Sequence, residues 1–241
     1  MSVYTDIHSH ILPGVDDGSQ DMEETLALLK LCYEEGTRRI FATPHYVPGH
    51  KSASPGHLRK LRTEVAEKIK ETYPDMELYG GNEIYYKEGV VKDVKAGKVL
   101  TLADTDYCLV EFNTRLEYKK IFHAVKEFTE AGYRPILAHV ERYDCLYQES
   151  DLLEDLIDAG AYIQINAESL LGGLFDRHSK YVQKILKDGL VHFIGSDCHR
   201  LDFRKPKMGS VFQKIKDEAV KDEIEEIMTV NVEKLLKNEW V

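Results

Sequence analysis

Cysteine is scarce in this sequence: four among 241 residues, at Cys32, Cys108, Cys145 and Cys198, with no two of them forming a C-x-x-C pair. Neither a zinc ribbon nor a disulfide framework can be built on that spacing, and a reducing cytoplasm is the expected compartment. Basic charge is short as well. Lysine and arginine number 32 against 42 aspartates and glutamates, a formal net charge of −10. The chain therefore lacks the basic stripe with which a nucleic-acid groove neutralises phosphates. No apolar run approaches the roughly 18 residues of a membrane span, so membrane insertion through a helix is not expected. The N-terminus shows no charged-then-apolar segment, and with His8 so near Met1 no removable leader is expected. A linker rich in proline, glycine or serine is missing too. Residues 1–241 are read as one domain, of a length that α/β barrels commonly reach.

What the chain does have is histidine set beside acid. Its first ordered stretch, Thr5-Asp6-Ile7-His8-Ser9-His10-Ile11-Leu12-Pro13-Gly14-Val15-Asp16-Asp17-Gly18, starts as a strand and ends as a loop. Residues two apart on a strand point the same way, so His8 and His10 can offer two imidazoles to one cation. Pro13, Gly14 and Gly18 then break the strand and set Asp16 and Asp17 on a turn that can fold back towards them. Either aspartate can serve.

Further strand patterns follow at Arg39–Thr43, Glu77–Glu83, Tyr107–Glu111, Pro135–His139, Tyr162–Asn166 and Leu190–Gly195, after a first at Tyr4–His10. Amphipathic helix patterns alternate with them, as in Leu58, Leu61, Val65 and Ile69. The first helix opens on Asp21 and Glu24 with capping-box spacing and stops at Gly36. Tyr46 to Pro55 reads as a loop able to cover a site, and Gly172-Gly173 as another loop. Ser210 to Leu236 holds two helical patterns, the last capped by Asn231. Such alternation predicts a mainly parallel sheet that closes into a barrel. Barrel chemistry gathers at the C-terminal ends of strands. Here those ends supply His8 and His10, His45, Glu83, Glu111, His139, and Asp197 with His199; the sixth strand, Tyr162–Asn166, offers no evident ligand. The shared rim carries the argument, since any one of these residues alone could be a satisfied structural group.

Together with Asp17, this set exceeds the needs of a single cation. Imidazole and carboxylate without thiolate suit Mn²⁺, Fe or Zn²⁺ rather than Ca²⁺, and a carboxylate such as Glu83 can bridge two ions. A polynuclear hydrolytic site follows, one that acidifies water and clamps attacking and leaving oxygens at phosphorus. Arg142 and Arg204, close to two ligand-bearing rims, are candidates for phosphate oxygens because a guanidinium fork fits them.

The motifs Asp6-Ile7-His8-Ser9-His10, Asp16-Asp17-Gly18, Thr43-Pro44-His45, Gly81-Asn82-Glu83, Glu111, Ala138-His139-Val140-Glu141-Arg142 and Ser196-Asp197-Cys198-His199 together resemble the PHP (polymerase and histidinol phosphatase) superfamily. The closer resemblance is to bacterial protein-tyrosine phosphatases of the CpsB type, encoded with capsule and exopolysaccharide genes. It spans nearly the whole chain. It implies a distorted (β/α)7 barrel with three metals, usually Mn²⁺, with Fe or Mg²⁺ as alternatives. By that resemblance His8, His10, Glu83 and Asp197 hold one ion, Glu83, Glu111 and His139 a second, and Asp17, His45 and His199 the third. Arg142 and Arg204 match its phosphate-binding arginines. The implied substrate is a phosphotyrosine cluster on the tail of a membrane-associated tyrosine kinase that controls polysaccharide export. The expected mechanism is attack of a metal-activated hydroxide on phosphotyrosine, with Asp17 or metal-bound water giving modest acid help to the phenolate. Histidinol-phosphate phosphatase is the rival within the superfamily.

One pattern points elsewhere. Cys198 with Arg204, and Cys32 with Arg38, match the C-x₅-R spacing of cysteine-dependent tyrosine phosphatases. Those enzymes need a glycine-bearing loop whose N–H groups curl around phosphate at a helix N-terminus. Neither stretch offers it, so both matches are read as coincidental.

Overall fold

The computed structural model describes residues 3–172 and 176–241; of the expected Gly172-Gly173 loop, Gly173 lies outside the described residues. The chain runs β1 (Tyr4–Ser9), α1 (Met22–Glu34), β2 (Thr37–Ala42), β3 (His45–Tyr46), α2 (Pro55–Lys70), β4 (Glu77–Gly80), β5 (Glu83–Tyr85), α3 (Val90–Lys95) and β6 (Tyr107–Glu111). It continues through α4 (Tyr118–Glu130), β7 (Arg134–Leu137), α5 (Ser150–Asp158), β8 (Tyr162–Asn166), α6 (Arg177–Lys187), β9 (Phe193–Gly195), α7 (Met208–Phe212), α8 (Glu218–Glu226) and α9 (Val232–Leu236). Among the described residues no helix is long and apolar enough to cross a membrane.

Every paired neighbour is parallel, in the orders β1-β2-β4 and β3-β5-β6-β7-β8-β9. The two sheets are halves of one curled wall. Thr43-Pro44 separates β2 from β3, and Gly81-Asn82 separates β4 from β5. The expected single strand Glu77–Glu83 is therefore two, and the Tyr46–Pro55 loop begins with a short strand instead. Proline has no N–H for a ladder, which breaks the wall at that point. The breaks are bridged by Gly81 N–H to Ala42 O and by the Asn82 side chain, whose Nδ2 donates to Pro44 O. Counting each broken pair as one strand gives the distorted (β/α)7 barrel.

The seam between β9 and β1 is thin. A single bridge joins Ser9 to Cys198, flanked by Asp197 N–H to His8 O and His10 N–H to Cys198 O, both 2.8 Å. Close approach there requires Gly195, because a Cβ at that position would lie 2.5 Å from His8 Cβ. Inside the wall Ile7, Phe41, Tyr107, Leu109, Ile136 and Phe193 pack with Val232 and Leu235 of α9. Each such fully buried side chain stabilises the fold by about 2 kcal/mol. The C-terminal segment seals the end where strands begin: Arg134 donates to Asn238 O, and Asp106 N–H to Asn238 Oδ1. The opposite end, where strands finish, stays open.

Helix starts and faces follow the local pattern. Asp21 caps α1 by accepting from Glu24 N–H, while the Glu24 carboxylate accepts from Gln20 N–H, so the box closes one residue early. Asn231 does not cap α9. It lies in a π turn (Ile227–Asn231) that makes α8 and α9 continuous, and its Nδ2 donates to His192 O instead.

Candidate metal centre

The open end gathers every donor anticipated from the sequence. His8 and His10 leave β1 with their Nε2 atoms 3.2 Å apart. Glu83, the first residue of β5, lies between them, with Oε1 3.2 Å from His8 Nε2 and Oε2 3.2 Å from His10 Nε2. The same carboxylate is 2.9 Å from His139 Nε2 and 3.0 Å from His45 Nδ1. Asp197 Oδ1 is 3.6 Å from His8 Nε2 and 3.5 Å from His10 Nε2. Glu111 approaches His139 at 3.7 Å and His45 at 3.9 Å. Asp17 faces His45 at 3.4 Å and His199 at 3.7 Å. Donor atoms fall into groups within 4.8 Å of one another: His8, His10 and Asp197; His45, Glu83 and Glu111; His10, Asp17, His45 and His199.

Hydrogen bonds fix which ring nitrogens are free. The Gln164 side-chain oxygen accepts the His139 backbone N–H at 2.9 Å, so it must be an acceptor towards His8 Nδ1 at 3.2 Å as well. His10 Nδ1 donates to Asp16 at 2.7 Å, and His199 Nδ1 to the Asp197 carbonyl at 2.9 Å. The proton of each ring is thus on Nδ1, leaving Nε2 with a lone pair. The lone pairs of His8 and His10 face one another and can share only one proton or one cation. Glu83 Oε2 and His139 Nδ1 are buried without a hydrogen bond. A cluster of imidazole lone pairs and carboxylates with an orphaned buried oxygen fits cations.

The electrostatics agree. Burial opposes the charge on Glu83, yet the imidazoles of His8, His10, His139 and His45 hold its pKa well below the ordinary carboxylate value. Burial likewise opposes charge on Asp197, and His8, His10 and Arg142 outweigh it. Burial disfavours a charged His10, but Asp16 and Glu83 raise its pKa well above the usual imidazole value. The site asks for positive charge, from protons or from metal in their place.

The structure also separates Asp16 from Asp17. Asp16 is committed: it accepts from His10 Nδ1, Gly18 N–H and His45 N–H, and these contacts hold its pKa down to about 2 against burial. Asp17 is 69% exposed and points its carboxylate at two imidazoles. Asp17 thus keeps a free carboxylate towards His45 and His199, while Asp16 orients the His10 ring.

Arg142 and Arg204 converge on Asp197 Oδ2, at 2.7 Å and 3.2 Å. Both line a cavity of about 360 Å³ together with Asp17, His45, Val47, Glu83, Glu111, His139 and Asp197. His139, Asp197 and Arg204 hold positive φ of 35°, 53° and 52°. Left-handed backbone at three non-glycine site residues is local strain that the surrounding contacts enforce.

Several supporting residues escaped the sequence reading. The sixth strand, read as offering no evident ligand, brings supporting groups instead: Gln164 to His8, and Asn166 at its end, which donates to Asp197 Oδ2 at 3.1 Å. Their signal was a pair of polar residues two apart, Gln164 and Asn166, alternating with Ile163 and Ile165 in a buried strand. Asp6 accepts from Ser196 N–H and hydroxyl and from His8 N–H, tying β1 to the Asp197 loop. Burial pushes its pKa up to about 6 in spite of those bonds. Glu141 accepts from Asn166 N–H and the Ser169 hydroxyl. Cys198 is fully buried and packs with Cys32 in the cluster under α1 and α2, on the far side of the wall from the cavity.

Comparison with known proteins gives a consistent picture. The family profile described as capsular polysaccharide synthesis, CpsB/CapC, matches residues 4–237. Among curated proteins, tyrosine-protein phosphatase CpsB of Streptococcus agalactiae is 31% identical over 241 residues, covering 98% of this chain and 99% of that protein. Tyrosine-protein phosphatase YwqE of Bacillus subtilis is 30% identical over 238 residues, 98% of this chain and 92% of that one. A solved structure from work on YwqE of Bacillus subtilis and CpsB of Streptococcus pneumoniae, described as unique metal-dependent tyrosine phosphatases, superposes with a TM-score of 0.86. It is 29% identical and covers 100% of this chain and 96% of that one. A histidinol phosphate phosphatase from Lactococcus lactis shares the fold at 13% identity and a TM-score of 0.58.

Proposed function

The chain belongs to the CpsB/CapC family of capsular polysaccharide synthesis, and from that membership we propose that it is a metal-dependent protein-tyrosine phosphatase. The observation that carries the reading is the buried Nε2 pair of His8 and His10 closed by Glu83, a set of donors whose charge a cation balances. In this reading His8, His10, Glu83 and Asp197 would hold one ion, Glu83, Glu111 and His139 a second, and Asp17, His45 and His199 a third. Three ions, Mn²⁺ foremost, with Fe, Mg²⁺ or Zn²⁺ as substitutes, suit such a donor set. When bound, they supply acidified water and positive charge opposite the phosphoryl oxygens.

The chain's own groups do the rest. Asp16 and Gln164 hold the His10 and His8 rings so that Nε2 points inward. Arg142 and Arg204 each give one nitrogen to Asp197, leaving the other N–H groups of each fork for phosphoryl oxygens. Asp17, exposed at the rim, stands where it can pass a proton to a departing phenolate. A phenol with pKa about 10 is a good leaving group, so that help is modest. The substrate in this reading is the phosphotyrosine-bearing tail of a membrane-associated bacterial tyrosine kinase that regulates capsule or exopolysaccharide synthesis, met in the cytoplasm. Turnover of a phosphotyrosyl peptide is compared with that of histidinol phosphate under the same metal loading. The peptide is expected to be the better substrate by kcat/KM, and the reverse order overturns the assignment.

A further inference from the structure

Of the residues lining the cavity over the metal centre, Val47 alone has an apolar side chain. Phosphate chemistry is well served there, but an aromatic ring has little to rest on. One candidate surface stands beside it. Phe203 is 55% exposed, one of the few large apolar side chains left in solvent among the described residues. It belongs to the turn from His199 to Arg204, closed by His199 N–H to Arg204 O at 3.0 Å and by Arg200 N–H to Phe203 O at 2.9 Å. The turn is anchored as well, since Glu24 accepts from Arg200 Nε and Leu201 N–H.

Two apolar residues sit in that turn and behave differently. Leu201 packs against the cluster under α1 and α2, whereas Phe203 does not belong to any of the core clusters. Its recorded neighbours are groups of the site. The Arg204 guanidinium carbon lies 5.1 Å from the ring centroid, and the His199 ring meets it edge-on at 6.2 Å. An exposed phenyl contributes little to the core, and here a hydrogen-bonded turn sets it next to an arginine that lines the cavity.

We propose that Phe203, beside the cavity-lining Arg204, forms the apolar contact for the aryl ring of the substrate and so selects aryl over alkyl phosphates through binding. The inference rests on the phosphatase reading and adds a specificity residue to it. Offset or edge-on packing of two aromatic rings is a favourable geometry, with Arg204 bridging the ring and the phosphate. Selection by ring contact is distinct from selection by leaving group, which needs no residue at position 203.

The test uses metal-loaded protein and three substrates: a phosphotyrosyl peptide, a phosphoseryl peptide, and acetyl phosphate, which has a good leaving group and no ring. In Phe203→Ala the ratio of kcat/KM for the phosphotyrosyl peptide to that for acetyl phosphate is expected to fall about five- to tenfold, mainly through KM. Phe203→Trp restores it. An unchanged ratio in Phe203→Ala, or a loss residing in kcat and not rescued by Trp, overturns the proposal. Failure of the underlying reading looks different: the unaltered metal-loaded protein then hydrolyses none of the three.

Discussion

At the residue scale the centre of the account is Glu83, a buried carboxylate touched by His8, His10, His45 and His139. Glu83→Gln keeps the shape but removes the charge that two ions would share. Bound metal and phosphatase activity are expected to fall together, activity by more than about 100-fold. Asp16→Asn leaves one acceptor oxygen where His10 Nδ1, Gly18 N–H and His45 N–H now share two, which loosens the His10 ring and its loop, and a loss of about 10- to 100-fold in metal affinity is expected by metal titration. The cysteine question also belongs here. Cys198 is fully buried in an apolar cluster with Cys32, out of reach of solvent and substrate. Such thiols are inert. Cys198→Ser is therefore expected to keep activity within about threefold, while Arg204→Ala loses most of it; kinetics on a phosphotyrosyl peptide at measured metal content separates the two. The donor residues that meet at the open end were legible in the sequence because His, Asp and Glu stand out at the ends of apolar strands. Gln164, Asn166 and Asp6 were not, since what they hold, a ring tautomer or a carboxylate, depends on pairings across the barrel that no local pattern records.

At the scale of elements, strands and helices were legible wherever a buried face repeats at a fixed period, as in α4 with Ile121, Val125 and Phe128. The breaks were not. Thr43-Pro44 and Gly81-Asn82 interrupt two strands because the wall changes direction there, and the compensating bonds, such as Asn82 Oδ1 accepting from Leu100 N–H, come from distant segments. Register within β9 shows a further consequence at the opposite end. His192, the residue just before that strand, accepts the Ile163 N–H on Nδ1, and burial pushes its pKa down to about 4. The folded protein therefore holds it neutral while the unfolded chain takes up a proton below about 6.5. Stability from this group is complete above pH 6.5 and is lost as pH falls towards 4, by on the order of 3 kcal/mol. Urea unfolding across that range is expected to show a shallower acid loss in His192→Gln than in the unaltered protein. Parallel curves for the two would remove His192 from the explanation.

At the scale of the whole molecule, the division of labour is between two ends of one barrel. Apolar packing and the C-terminal cap, with Val232, Leu235 and Asn238, close the end where strands start. The other end concentrates buried histidines and carboxylates that would destabilise an ordinary core. Closure of the barrel was legible from strand–helix alternation. The thin β9–β1 seam was not, because it rests on the Asp6 contacts to Ser196 and on the absence of a Cβ at Gly195. Cations at the open end would bind the folded state alone and stabilise it, by about 4 kcal/mol at a thousandfold excess over Kd. The most direct measurement strips the purified protein with a chelator, then titrates Mn²⁺ back while following bound metal per chain and hydrolysis of a phosphotyrosyl peptide. The account predicts background activity in the stripped protein and recovery in step with occupancy. Full activity without metal, or a cysteinyl-phosphate trapped during turnover, would contradict it.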